Sequence, residues 1–252
     1  MPTSNIVPLS KKKHASLTYA PLANYAFTAD RNSIPLLPFE VSAASRFFPV
    51  IFPDSRNAVP HALLGLGDVN IFVDDEGNWK APYLPLMVSN YPFSLIQAHF
   101  KDDSDSDSDA RKSELAIGIE ENAPHFHQPD GLPLFGKDGE STETLKRIEN
   151  ALLAQYKRQE AMTQALAELT LHGTLKERVV TVLFDGLEKN VGGLRCADQE
   201  KVMSLPEATL GHWVKNGLME MLYAHWQSLR NLRLLLEDAS CPSAGERKET
   251  IQ

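Results

Sequence analysis

An amphipathic segment over residues 141–173 constrains the fold more than any other feature of the sequence. Its apolar residues recur mostly at steps of three and four and form one stripe, namely Leu145, Ile148, Leu152, Tyr156, Met162, Leu166 and Leu169. That spacing predicts a long α-helix with one buried face. Ser141 or Thr142 can cap its start and Gly173 can end it. The 252-residue chain is long enough to bury such a face in a core.

The N-terminal half favours β-structure between residues 46 and 119. Residues 47–52 are rich in aromatic and β-branched side chains, although Pro49 favours a sheet edge. Residues 69–74 alternate in polarity and lead into the turn sequence Asp-Glu-Gly-Asn, so Trp79 is expected to begin a return strand. Residues 115–119 predict a further strand, and a second turn is expected at residues 136–139.

The C-terminal half is predicted to be mainly helical after a strand at residues 179–184 and a turn at Asp185-Gly186. Residues 204–207, Ser-Leu-Pro-Glu, fit a capping box with proline in the first turn of a short helix. Gly217 should end that helix. A final helix then carries Leu218, Leu222, Trp226, Leu229, Leu232 and Leu236 on one face. The fold class is therefore predicted as α+β, with a β-rich N-terminal half and a helical C-terminal half.

Three segments are expected along the chain. Residues 1–35 are polar and interrupted by proline, which predicts an N-terminal arm. Residues 36–238 are predicted to form a single α+β domain, and residues 239–252 a disordered tail. Within the domain, residues 102–109 read DDSDSDSD, and repulsion among the five carboxylates predicts a solvated loop insertion.

Charge and hydropathy exclude several classes of function. The net charge of −8 argues against a nucleic-acid partner, because a phosphate backbone needs clustered Lys and Arg. No apolar run is long enough to span a bilayer, and no apolar signal core follows the N-terminal lysines. A cytoplasmic location is therefore expected. The two cysteines, Cys196 and Cys241, have no framework spacing, and reduced thiols fit at least as well as a disulfide.

Several ordered blocks between residues 46 and 236 resemble the SapC family of bacterial proteins. The blocks are FPVIF at 48–52, ALLGL at 62–66, NIFVD at 70–74, GNWKAPYLP at 77–85, NYPF at 90–93, PLF at 133–135, DQEK at 198–201 and LYAHWQSLRNL at 222–232. The chain departs from the family pattern at Asn90, where Arg is usual, and at the acidic insertion. The family name implies a link with bacterial surface (S-layer) proteins, and the resemblance implies no enzymatic activity.

Four aromatic residues are the candidate ligand-binding residues: Trp79, Tyr83, Tyr91 and Phe93. Their clustering in a proline-containing stretch fits a ligand cleft, but core packing of the β-rich half explains the same pattern and is the stronger interpretation. In the core interpretation, Trp79 and Phe93 hold the β-rich half to the terminal helix through residues such as Leu222. His225 on that helix is expected to be structural.

Candidate metal ligands are His125 and His127, which would share a face on a strand. Flanking Pro and Gly favour a loop instead, and no third ligand is evident. The aspartates of the acidic run lack the pattern of an EF-hand, and no nucleophile elbow, P-loop or dinucleotide motif is found. No catalytic residue can be named, and no cofactor is expected.

Two functions of different classes follow from these patterns. The first is a non-enzymatic binding or accessory protein with a protein partner, linked to bacterial cell-surface or outer-membrane uptake systems. The second is a small-ligand-binding protein or enzyme whose site lies in the aromatic block of residues 79–93. A deep pocket with converging polar groups would favour the second, and an exposed apolar patch the first. The sequence leaves the oligomeric state open.

Overall fold

A computed structural model describes residues 6–53, 57–100, 112–184 and 187–240. The chain forms two compact units. The first consists of Met1–Ala23 and Asn90–Arg158, and the second of Asn24–Ser89 and Gln159–Gln252. The predicted acidic loop, the Asp185-Gly186 turn, Cys241 and most of the predicted tail lie outside the described residues. The segment boundaries expected from the sequence stay a prediction.

The strands are short except for two antiparallel pairs. In chain order they are Ile6–Pro8 (β1), Thr18–Tyr19 (β2), Ser33–Pro35 (β3), Val50–Ile51 (β4), His61–Leu63 (β5), Phe93–Phe100 (β6), Lys112–Glu120 (β7), Leu132–Pro133 (β8), Leu175–Phe184 (β9) and Leu187–Ala197 (β10). They form the sheets β1-β7-β6, β3-β5-β4, β2-β8 and β10-β9, and the strand pairings within them are antiparallel. The strand predicted at residues 115–119 is the centre of β7, and that predicted at 179–184 is the second half of β9.

The helices are concentrated after residue 142. They are Lys11–His14 (α1), Val41–Ala44 (α2), Leu86–Ser89 (α3), Glu143–Leu171 (α4), Gln199–Met203 (α5), Glu207–Lys215 (α6), Leu218–Ser228 (α7) and Leu232–Ser240 (α8). The helix predicted from the apolar stripe is α4. Thr142 caps it, since its Oγ1 accepts a hydrogen bond from the Leu145 N–H at 3.4 Å. Gly173 has φ +58° after its end, a conformation that favours glycine.

The first unit packs the start of α4 against one face of the sheet β1-β7-β6. Its core contains Leu145 and Leu152 of α4 together with Leu17, Phe93, Ile119, Ala123, Phe126 and Leu134. Phe93 and Ile119 face each other in the β6–β7 register, which places both side chains on the same face of the sheet. The turn predicted at residues 136–139 is present, because the Gly136 N–H donates to the Glu140 carbonyl at 2.8 Å.

The second unit combines the sheet β3-β5-β4, the hairpin β9–β10 and helices α5–α8 around a larger core. Buried side chains from every one of these parts meet in it, including Ile34, Val50, Leu63, Leu175, Cys196, Val202, Trp213, Leu222 and Leu235. The predicted reversal at residues 75–78 is present, since Val73 and Trp79 form an antiparallel bridge. Cys196 is buried near the end of β10, and its burial raises the pKa of the thiol to about 11.

Hydrogen bonds between side chains of α7 and the backbone of two strand residues fix α7 to the rest of the second unit. His225 contacts the Val50 carbonyl through Nδ1 at 2.8 Å and accepts from the Ala197 N–H through Nε2 at 3.1 Å. The Val50 N–H donates to Ser228 Oγ at 2.8 Å, and Trp226 Nε1 donates to the Ala197 carbonyl at 2.8 Å. Both backbone polar groups of Val50 and of Ala197 therefore bond to α7 side chains. The structural role predicted for His225 is confirmed.

Two C-terminal predictions are corrected. Ser204 is not the N-cap of α6: its hydroxyl donates to the Lys201 carbonyl at 2.8 Å at the end of α5, and α6 begins at Glu207 without a side-chain cap. Gly217, with φ +82°, ends that short helix as expected. The single final helix is wrong, because a 3-10 turn at Leu229–Asn231 separates α7 from α8.

Two N-terminal predictions need a similar correction. Only Val50–Ile51 of the predicted strand 47–52 joins a sheet, and it lies at the sheet edge, as Pro49 suggested. Residues 69–74 form no strand beyond the Val73 bridge. Instead the side chain of Asn70, which is 2% exposed, bonds to both the carbonyl and the hydroxyl of Thr28. These contacts hold the segment in an irregular conformation.

The observed fold is α+β, with sheets mainly in the N-terminal half and helices mainly in the C-terminal half, as predicted. The exception is the hairpin β9–β10, which lies in the helical half. Among the helices that the structure describes, none combines the length and hydropathy needed to span a bilayer.

Candidate functional site

The four aromatic residues predicted to bind a ligand are divided between the two units. Trp79 and Tyr83 belong to the second unit, whereas Tyr91 and Phe93 belong to the first. Each pair has its own surroundings.

In the second unit, the polar atoms of Trp79 and Tyr83 bond to groups of the protein itself. Trp79 Nε1 donates to the Tyr83 carbonyl at 2.8 Å, and the Tyr83 hydroxyl donates to Glu40 Oε2 at 2.7 Å. The Trp79 ring packs against Phe48 and Phe72 at the margin of the core. Trp79 is half-buried, less than the sequence predicted, and both side chains act in packing.

Glu40 is a buried carboxylate that the sequence did not single out. It is 3% exposed, and besides Tyr83 it accepts hydrogen bonds from the N–H groups of Leu86 at 2.9 Å and Leu37 at 2.7 Å. Burial raises the pKa of Glu40, while its three donors act in the opposite direction. The carboxylate thus connects two distant chain segments. Burial and the Glu40 partner likewise raise the pKa of Tyr83.

In the first unit, Phe93 is a core residue and Tyr91 lies at the edge of the core. Phe93 is 5% exposed and contacts the rings of Tyr19 and Phe126, with centroids 4.9 Å and 5.8 Å away. Tyr91 packs edge-on against His125 at 5.2 Å. Phe93 is therefore as buried as predicted, and its packing partners here are those of the first unit's core.

The two candidate metal ligands have different environments. His125 is 3% exposed, and its ring stacks on Tyr19 at 6.3 Å. Desolvation lowers the pKa of His125. His127 is exposed and has φ +60°, so it follows His125 in a turn and not on a strand. Within the described ranges, no three His, Cys, Asp or Glu side chains come together as metal ligands would. A metal site at this pair stays a prediction.

An apolar groove in the second unit is the strongest candidate site, and sequence reasoning missed it. It has a volume of about 730 Å³ and lies between the last three turns of α4 and two loop segments. We call it the α4 groove. Its lining residues are Leu36, Pro38, residues 57–60, Gln159, Thr163, Gln164, residues 166–168, Thr170 and Leu171.

The floor and the rims of the α4 groove differ in exposure. Leu36, Ala58 and Leu166 are buried and form the floor. The backbone bond from the Leu36 N–H to the Pro60 carbonyl, 2.8 Å long, joins the two loop segments. At the rims, Val59 is 39% exposed and Leu171 is 80% exposed. Large exposed apolar side chains beside an apolar floor are typical of a surface that binds another molecule.

Small side chains on the outer face of α4 keep the α4 groove open. Thr163, Ala167 and Thr170 are exposed and follow a spacing of four and three residues, which places them on one face of the helix. This pattern was available in the sequence. The apolar stripe predicts only the buried face of α4. The small residues on the outer face become part of a groove only because residues 57–60 pack beside the helix.

Glu168 is the charged side chain among the described lining residues of the α4 groove. Its Oε2 accepts a hydrogen bond from Nε1 of the fully buried Trp213, and its Oε1 lies 3.3 Å from Nε2 of His212. The Trp213 ring in turn contacts His172 edge-on at 5.7 Å. The buried indole therefore holds the Glu168 carboxylate in one orientation beside the groove, where it can attract a cation or accept a hydrogen bond.

The fold and this site define a mixed α+β protein with an apolar surface groove and one oriented carboxylate at its wall. The family model described as SapC matches residues 9–235, nearly the whole chain. The chain therefore belongs to the SapC family, as the ordered blocks indicated. Searches of the curated proteins and of the solved structures found no match.

Proposed function

We propose that this SapC-family chain is a non-enzymatic binding protein that holds an apolar part of its partner in the α4 groove. The observation that carries the proposal is the combination of a buried apolar floor with exposed Val59 and Leu171 at the rims. Leaving such side chains in water costs free energy, which a bound apolar surface recovers. The volume of about 730 Å³ is in the range of ligand-binding clefts.

The chemistry of the lining fits binding better than catalysis. Apart from Glu168, the lining side chains are apolar, amide or hydroxyl groups. Such a surface supplies area and a few hydrogen bonds, which is how interfaces gain affinity and orientation. The aromatic block of residues 79–93 remains the second candidate, although the Trp79 and Tyr83 hydrogen bonds described above favour packing there.

Two finer parts of the proposal concern cellular context. We propose that the protein acts in the cytoplasm as an accessory to cell-surface or outer-membrane uptake systems. The link to the surface rests on what the resemblance to the SapC family implies. Fractionation of native cells with N-terminal sequencing tests the location. Recovery of a processed form from the periplasm or the surface would contradict it.

A neutral dye tests the α4 groove itself. Nile red should bind with a saturable, blue-shifted fluorescence signal. Ala167→Trp, which fills the groove from the outer face of α4, should abolish the signal. Ala154→Trp is the matched control, because Ala154 is also exposed on α4 but does not line the groove. Equal dye binding by both variants would show that the groove is not the binding site.

A further inference from the structure

The length of the α4 groove indicates what shape of partner fits it. The lining residues of α4 run from Gln159 to Leu171, which corresponds to about 18 Å of helix, or a little over three turns. The exposed Thr163, Ala167 and Thr170 present little side-chain volume along this face. A row of small residues lets the ridge of a second helix approach closely and pack between α4 and the opposite wall.

The charge of the α4 groove indicates the composition of that partner. Between Gln159 and Gly173, α4 and the residues just after it contain Glu160 and Glu168 but no Lys or Arg. The opposite wall, residues 36–38 and 57–60, carries no charged side chain. Glu160 is exposed and lies on the same side of the helix as Gln164, one turn further on, and Glu168, two turns further on. An apolar seam therefore runs beside an acidic edge.

From this geometry we infer that the α4 groove binds a basic amphipathic α-helix of a protein partner. The inference rests on the proposed binding function and specifies its partner. The apolar stripe of the bound helix covers Val59, Ala167 and Leu171, and its Lys or Arg side chains lie beside Glu160 and Glu168. Helices bind protein grooves in this way through side chains spaced at i, i+3, i+4 and i+7. A second copy of α4 fits less well, since it would bring the same acidic side chains against each other.

Three labelled peptides of about 18 residues test the inference, since a shorter helix would be marginal in water. The first is an amphipathic peptide of Leu, Ala and Lys. The second has Glu in place of Lys, and the third has the composition of the first in an order that destroys the apolar stripe. Fluorescence anisotropy with the full-length protein should show binding of the first peptide at least about tenfold tighter than of the others. Equal binding of the first and third peptides would mean that net charge alone is responsible, which overturns the inference.

Four variants and one control locate the peptide on the protein. Ala167→Trp should weaken binding of the basic peptide by about tenfold or more, whereas Ala154→Trp should leave it unchanged. Thr163→Arg adds a positive charge at the exposed face of α4 without filling the floor of the groove. It should therefore weaken binding of the basic peptide even if Ala167→Trp folds poorly. Glu160→Gln and Glu168→Gln should each weaken binding several-fold at about 0.15 M salt and much less at about 1 M. The glutamine at position 168 can still accept the Trp213 hydrogen bond.

The remaining outcomes separate this inference from the proposed function. If Nile red binds in the α4 groove but none of the peptides displaces it, the groove binds small apolar molecules and the helical partner is wrong. If sedimentation shows a dimer that Ala167→Trp dissociates, a second copy occupies the groove and the inference is likewise overturned. If neither dye nor peptide responds to Ala167→Trp, the proposed function itself fails.

Discussion

His225→Phe removes two hydrogen bonds from the centre of the second unit while it keeps an aromatic ring in place. His225 is 0% exposed, and its ring also packs edge-on against Phe52 at 5.0 Å. Phenylalanine preserves that contact but leaves the Val50 carbonyl and the Ala197 N–H without their partner. Each unsatisfied buried backbone group costs about 1–3 kcal/mol, so the free energy of unfolding should fall by about 2–6 kcal/mol. That is a large part of a typical stability of about 5–15 kcal/mol.

The same two hydrogen bonds fix the protonation state of His225. The Val50 carbonyl can only accept and the Ala197 N–H can only donate, so Nδ1 carries the hydrogen and Nε2 is bare. Burial opposes the charged form and lowers the pKa of His225 from 6.5 to about 4. The unfolded chain therefore binds the proton more tightly than the folded chain. The contribution of His225 to stability is complete above pH 6.5 and is lost as the pH falls from 6.5 toward 4.

The magnitude of this pH effect follows from the two pKa values. At pH 5.5 the wild-type protein should have lost about 1 kcal/mol through His225, and at pH 4.5 about 2–3 kcal/mol. Other titratable groups contribute to the pH dependence of both proteins, so the measured quantity is the difference in free energy of unfolding between wild type and His225→Phe. That difference should shrink as the pH falls, because the variant has no imidazole to protonate.

Urea unfolding followed by tryptophan fluorescence at pH 7.5, 6.5, 5.5 and 4.5 measures both effects. His212→Gln is the matched control, since His212 is 61% exposed in its side chain and should change stability by no more than about 0.5 kcal/mol. A His225→Phe protein that is as stable as wild type at pH 7.5 would refute the argument that these two hydrogen bonds stabilise the second unit. A stability difference that stays constant from pH 7.5 to 4.5 would refute the titration argument.

Four further substitutions test three other contacts, each by urea unfolding. Phe93→Ala should lose about 3–5 kcal/mol because it empties a site in the first unit's core, and a normally stable variant would show that Phe93 is not a packing residue. Asn90 and Gln155 exchange two amide hydrogen bonds, 2.6 Å and 3.2 Å long, so Asn90→Ala and Gln155→Ala should each cost about 1 kcal/mol and the double variant little more. Fully additive losses would mean that the pair does not interact. Tyr83→Phe should cost about 1.5–3 kcal/mol by removing a donor to the Glu40 carboxylate, and an unchanged stability would argue against that bond.

The features that the sequence determined are those set by neighbouring residues. The apolar stripe from Leu145 to Leu169 predicted α4 because one face of a helix repeats every three or four residues along the sequence. Gly217 and the turn at residues 136–139 were predicted for the same reason, since a left-handed conformation or a tight turn restricts the residue types at the turn itself. The ordered blocks also predicted membership of the SapC family, which the family model then showed.

The tertiary structure decided which partner each polar group and each helix face obtains. The residues that follow Ser204 fit an N-cap at that position, yet its hydroxyl donates to the Lys201 carbonyl. His225 and Glu40 acquire their roles from backbone groups far away in sequence, at Val50, Ala197 and Leu86. The α4 groove exists because residues 57–60 pack beside the small residues of α4. Contacts between segments distant along the chain depend on how the whole core packs, and no local pattern of residues specifies that arrangement.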